Sequence, residues 1–134
     1  MQPNIISLIV DSFNTGADFL TKTFTRFEER LNSSKYISES HSLDMRDEAS
    51  IYRTFPKQAG NFRGVGRSSI KFTEDVVVLG VDGVANLTAP IILEISFSIP
   101  KGSAVADVLR KRQEAIAFLD DDDVMDALNH TLMI

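Results

Sequence analysis

The 134-residue chain reads as an α+β protein: an antiparallel meander first, helices last. Three observations predict this. Segments across the first hundred residues alternate apolar and polar side chains with the two-residue period of a strand. Pro100 and Gly102 then stop the pattern. Beyond them Val105, Val108, Leu109, Arg112, Ile116 and Leu119 recur at helical spacing. Strands followed by helices, with no βαβ alternation, imply helices packed on one face of an antiparallel sheet.

The elements follow in order. Asn4–Ser12 is an apolar run ending near Asn14-Thr15-Gly16, a turn sequence. Phe19–Phe27 is rich in Thr and Phe, which suit a pleated surface. A helix is the alternative there, since Leu20, Phe24, Phe27 and Leu31 would share one helical face; the Thr content favours a strand. Ser33–Ser40 is a short third strand. Leu43–Phe55 alternates in part. Leu43, Met45, Ala49, Ile51 and Phe55 point one way, with Asp47 and Arg53 as exceptions, while Ser50, Tyr52 and Thr54 point to the wet side. A shift of one residue would exchange the faces and expose Arg53 instead. After a connection over 56–60, Arg67–Leu79 alternates Arg67, Ser69, Lys71 and Thr73 with Ser68, Ile70 and Phe72. Gly80-Val81-Asp82-Gly83 is a turn, with the loop running on to Pro90. Ile91–Ile99 places Ile91, Leu93, Ile95, Phe97 and Ile99 opposite Ile92, Glu94, Ser96 and Ser98. Ser103 is positioned to cap a helix over Ala104–Leu119. Asp120–Asp123 interrupts, and Val124, Met125, Leu128 and Leu132 mark a shorter second helix.

Composition narrows the function. With no cysteine there is neither a disulfide framework nor thiol chemistry. No apolar run approaches the ~18 residues a membrane span needs, so no membrane partner is expected. Ile5–Val10 lacks the basic segment and cleavage pattern of a signal peptide. The sequons at Asn32, Asn86 and Asn129 carry no weight without a secretory context. Net charge is −5, yet residues 49–73 hold Arg53, Lys57, Arg63, Arg67 and Lys71 with no Asp or Glu, so that stretch is +5 and the remainder −10. Local separation of charge, more than its sum, attracts phosphate. Gly60, Gly64 and Gly66 lack the Gly-Lys-Ser/Thr ending of a phosphate loop and read as turn glycines. His41 and His130 have no ligand-like spacing, and Asp120–Asp123 suits a helix N-terminus better than a cation. No metal, cofactor or catalytic dyad is expected, so an enzyme reading has no positive support.

Two short helices cover only part of one sheet face. The other carries Ser50, Tyr52, Thr54, Arg67, Ser69, Lys71, Glu94, Ser96 and Ser98, small polar or basic groups suited to a ligand with many phosphates. In order and spacing the chain resembles the coat proteins of the single-stranded RNA phages, the leviviruses and their relatives. Ser33-Ser34-Lys35-Tyr36, Tyr52-Arg53-Thr54-Phe55-Pro56-Lys57, Arg67-Ser68-Ser69-Ile70-Lys71-Phe72 and Ile95-Ser96-Phe97-Ser98-Ile99-Pro100, with two terminal helices, carry the likeness over residues 17–134.

The resemblance implies one coat-protein domain over 1–134, with a sheet region over 1–100 and a helical dimerisation region over 103–134. It implies a homodimer whose subunits pair edge to edge into a ten-stranded sheet, each subunit's helices crossing its partner's. Val105, Val108, Leu109, Arg112, Ile116 and Leu128 are the expected interface. Such dimers build an icosahedral shell in the host cytoplasm, and the protein resides in the virion. The inner sheet face would bind single-stranded genomic RNA, including a hairpin that represses replicase translation, and a maturation protein would be a further partner. Arg67, Ser69 and Lys71 fall on the RNA-contacting strand, and Ser96 and Ser98 on inward positions of the last strand. Tyr52 could stack on a base, and Glu94 could accept from a base amino group. The loop with Gly80, Asp82, Gly83 and Pro90 would meet its copies around the symmetry axes. The rival reading, a small sheet-based RNA-binding regulatory protein, lacks an aromatic strip, since Tyr52 is alone on the wet face.

Overall fold

A computed structural model describes residues 2–11 and 16–131. Six strands form one antiparallel sheet in sequence order: β1 Ile5–Asp11, β2 Phe19–Arg30, β3 Ser33–Ser38, β4 Asp47–Thr54, β5 Val65–Leu79 and β6 Asn86–Pro100. Helix α1 spans Val105–Leu119 and α2 spans Asp122–Asp126, which runs into a π-helical turn over Ala127–Thr131. The chain divides into two compact units, Met1–Phe55 with Gly66–Ser98, and Pro56–Val65 with Ile99–Ile134.

Phe19–Arg30 is a strand, as its Thr content predicts, although a bulge between Arg26 and Glu28 leaves Phe27 exposed. The sheet curls. Phe24 on β2 and Phe72 on β5 lie three strands apart, about 14 Å in a flat sheet, yet their ring centroids are 6.4 Å apart. The concave side holds the core: Phe24, Tyr36 and Ala49 are buried, with Ile6, Ile51 and Phe72 packed against them. Tyr36 is 0% exposed and its hydroxyl donates to the Pro3 carbonyl at 2.8 Å, which satisfies the one polar atom it carries inward. Burial raises the Tyr36 phenol above its ordinary pKa; Arg26 opposes this and Glu29 adds to it.

Asp47, the anomaly of the β4 alternation, is accommodated within this concavity. Its carboxylate takes the Lys22 ammonium at 2.7 Å and the hydroxyls of Ser38 and Ser40 at 2.6 and 2.5 Å. Burial alone would raise its pKa, but Lys22 and the two serines together hold it below the usual carboxylate range.

Several sequence expectations need correction. β4 begins at Asp47 rather than Leu43: Ser42 and Met45 close a turn on each other, with Ser42 N to Met45 O at 2.9 Å, and Leu43 is fully exposed at its tip. Phe55 is also exposed, beneath the Arg53 guanidinium, instead of facing the core. Pro90 is not a loop residue. Gly80 N donates to Ala85 O, Asp82 accepts from the amides of Val84 and Ala85, and the chain is already in β6 at Asn86. Ser103 does not cap α1. Its hydroxyl donates to Pro100 O at 2.7 Å, and Ala104 stands at the N-cap with no side-chain bond. The sheet has six strands because β1 joins it, one more than half of a ten-stranded dimer sheet. The turn at Asn14-Thr15-Gly16 and the end of the second helix at Leu132 fall largely outside the described residues.

Candidate nucleic-acid interface

The register of β4 decides which side chains share the convex face. Ser50 lies opposite Lys35 on β3 and Lys71 on β5; Tyr52 lies opposite Ser33 and Ser69; Thr54 lies opposite Arg67. Directly opposed residues project to the same side. Ser50, Tyr52, Thr54, Arg67, Ser69 and Lys71 therefore share one face, as read from the alternation. Arg53 falls on the other, opposite Ser68, where it donates to Leu31 O at 2.9 Å. The one-residue slip does not occur.

Tyr52, Thr54, Arg67, Ser69, Ser96 and Ser98 line one shallow depression of about 240 Å³, so β6 brings its serines to the same place as β4 and β5. Glu94 alternates with Ile95 and is exposed, like Ser96 and Ser98. Ser50 departs from expectation. It lies on this face but is buried, flanked on both sides by lysines. Its hydroxyl is no open contact point for a ligand; it spaces two ammonium groups.

Lys35 was not among the candidates, and it belongs here. Burial alternates strictly along Ser33–Ser38, with Ser34, Tyr36 and Ser38 buried, but serines on both faces and Ile37 on the Lys35 side hide that period in the sequence. Lys35 pairs with Glu48 at 3.2 Å, so its charge is partly answered. Arg67 and Lys71 make no ion pair among the described residues, which leaves two uncompensated cations on the face that exposes the Tyr52 ring.

The helical residues are in a different condition. In α1, Val105 is 74% exposed and Ile116 52%; Leu109, Arg112 and Leu128 are exposed too, and Val108 is half-buried. No residue of α1 or α2 is buried. On β6, a free edge of the sheet, Ile91, Ile92 and Leu93 are exposed. The acidic run has a local role: Asp121 caps α2 by accepting from Val124 N at 3.1 Å, and Asp122 and Asp123 occupy the first turn. Gly80, Asp82 and Gly83 form the β5–β6 tip, which exposes Val81 and Val84. Among the described residues no cluster of His, Cys, Asp or Glu is placed to hold a metal, and no helix is long and apolar enough to cross a membrane.

Solved structures match this chain along nearly its whole length. The virus-like particle subunit of bacteriophage AVE019 is 21% identical, covers 100% of this chain and 99% of its own, and superposes with a TM-score of 0.77. That of Beihai levi-like virus 32 is 17% identical over 84% of this chain and 88% of its own, with a TM-score of 0.73. The chain has the coat-protein fold of the levi-like phages. The bacteriophage EMS014 coat protein has the same coat-protein fold at 20% identity, covering 89% of this chain and 74% of its own, with a TM-score of 0.59. No protein-family model and no curated protein matches the sequence. Within this coat-protein fold, six antiparallel strands precede two short helices, which is the order read from the sequence.

Proposed function

We propose that the chain is a structural capsid subunit of a single-stranded RNA phage. In this reading it dimerises, assembles into an icosahedral shell within the host cytoplasm, and becomes part of the virion. The convex sheet face looks into the shell and binds genomic RNA. Arg67 and Lys71 neutralise phosphates and release counterions. Tyr52 stacks on an unpaired base, and Ser69, Ser96 and Ser98 offer short donors and acceptors. The same face would hold the hairpin through which replicase translation is repressed, and a maturation protein would complete the particle.

The observation that carries this reading is a full-length coat-protein fold whose helices leave their apolar stripe uncovered. A stripe of Val105, Leu109, Ile116 and Leu128 in water is unfavourable by about 1.5–3 kcal/mol for each large side chain that could be buried. A partner subunit supplies the cover: β6, a free edge, pairs with its copy, and the helices of each subunit cross the partner's sheet. The β5–β6 tip, with Gly80, Asp82 and Gly83, then meets other dimers.

Size-exclusion chromatography and electron microscopy of the expressed protein test this. Uniform shells containing co-purified RNA are expected. A soluble dimer that forms no particles would favour a small sheet-based RNA-binding regulator instead.

A further inference from the structure

The unit formed by Pro56–Val65 and Ile99–Ile134 contains a second cationic cluster, built from residues other than the nine assigned to the sheet face. Gly64 is its hub. At φ +91° its missing side chain lets the Lys57 backbone pack against it; a Cβ there would sit 2.2 Å from the Lys57 carbonyl oxygen. The carbonyl of Gly64 accepts from Lys101 N at 2.9 Å. The Arg63 guanidinium lies 3.7 Å from where a Cβ on Gly102 would stand. Lys57, Arg63 and Lys101 are thus gathered about one glycine. All three are exposed, none makes an ion pair among the described residues, and neither contributing segment contains an acid before Asp107.

An aromatic ring accompanies them. Ala59 and Phe62 exchange backbone hydrogen bonds of 2.9 and 3.0 Å across a tight turn with Gly60 at φ +60°. That turn holds Phe62 half out in solvent beside Arg63. About half of the ring is therefore open to a ligand, and a rigid turn fixes it at little entropic cost.

We propose that Lys57, Arg63, Lys101 and Phe62 form a second single-stranded RNA contact, in which the cations take phosphates and Phe62 stacks on a base. Exposed aromatic rings interleaved with unpaired cations suit single-stranded nucleic acid, because every base has a face to stack and every nucleotide a phosphate. An acidic protein surface would use the charges and leave the ring idle. The inference rests on the RNA-binding reading above but concerns different residues, so the two can fail separately.

The experiment is a titration of the full-length chain with a short fluorescent single-stranded RNA of mixed sequence over a series of salt concentrations. Each phosphate contact contributes about 0.7 to the slope of log affinity against log salt. Replacing Lys57, Arg63 and Lys101 together by Gln should flatten the slope by about 2. Replacing Lys57 and Lys101 by Arg should leave it unchanged. Phe62→Ala should weaken binding roughly tenfold with the slope intact. Circular dichroism verifies the fold of each variant. The inference is overturned if the triple variant keeps the parent slope while Arg67→Gln with Lys71→Gln flattens it; the sheet-face reading then stands alone. If neither set changes the slope, the sheet-face reading falls, and this inference with it. Loss of particles in the triple variant with an unchanged slope would make the cluster a subunit contact and also overturn the inference.

Discussion

The concave side of the sheet and the C-terminal helices are both built from apolar side chains at regular spacing, yet they end in opposite conditions. Phe24, Tyr36 and Ala49 are sealed within the curl of the sheet, whereas Val105, Leu109 and Ile116 remain in solvent. The difference is one of supply. A strand meander can curl over one of its own faces, because β2 reaches across β3 and β4 to set Phe24 on Phe72. A 15-residue helix cannot cover itself. Periodicity marks a surface as ready for burial, and only a second surface completes it.

The largest expected effect lies on the sealed side. Tyr36→Ala removes the fully buried ring and leaves a cavity, and should cost about 3–5 kcal/mol in chemical denaturation. Next comes the uncovered side, where Ile116→Asp separates the two cases. It should leave the fold of the chain within about 0.5 kcal/mol but weaken self-association a hundredfold, about 2–3 kcal/mol, in analytical ultracentrifugation. A loss of fold, with association unchanged, would mean the helix is covered by its own chain.

Asp47 gives a smaller and pH-dependent effect. Its folded-state pKa is lowered, so its contribution is fully present above the unfolded-state value of ~3.9 and is lost as pH falls through the lower folded value. Acid denaturation of the parent should therefore steepen below about pH 4, and Asp47→Asn should flatten that limb. At neutral pH the variant should lose about 1–3 kcal/mol, a figure reduced from that of a fully buried pair because the Lys22 side chain is 34% exposed. Ser103→Ala should be smallest, within about 0.5 kcal/mol, since the hydroxyl binds Pro100 O rather than capping α1. A loss near 1 kcal/mol in thermal melts would restore the cap.

Much of the convex face was legible because its signal is the two-residue period itself. Arg67, Ser69 and Lys71 could be assigned to one side from the alternation of β5 alone, whereas Tyr52 and Thr54 were read with a one-residue slip left open, which the pairing of β4 with β5 closed. Lys35 could not be assigned, because its membership depends on the register that sets it opposite Ser50. Ser50 shows the same limit from the other direction: alternation places it on the correct face, but only its lysine neighbours determine that water does not reach it. The false start of β4 at Leu43 arose from two apolar residues in phase with the strand. A local turn, Ser42 to Met45, overrode the pattern.

By itself the sequence determined which residues could face together: the order of strands and helices, the polar and apolar sides of each, and the basic stretch from 49 to 73. Those properties are local, set by side-chain type and the backbone repeat. The tertiary structure decided which of the possible faces are closed. The curl that buries Tyr36, the serine hidden between Lys35 and Lys71, the carboxylate held by Lys22 and two serines, and the gathering of Lys57, Arg63 and Lys101 around Gly64 all join residues distant in the chain. Burial and charge compensation depend on such distances, and those exist only once the chain has folded.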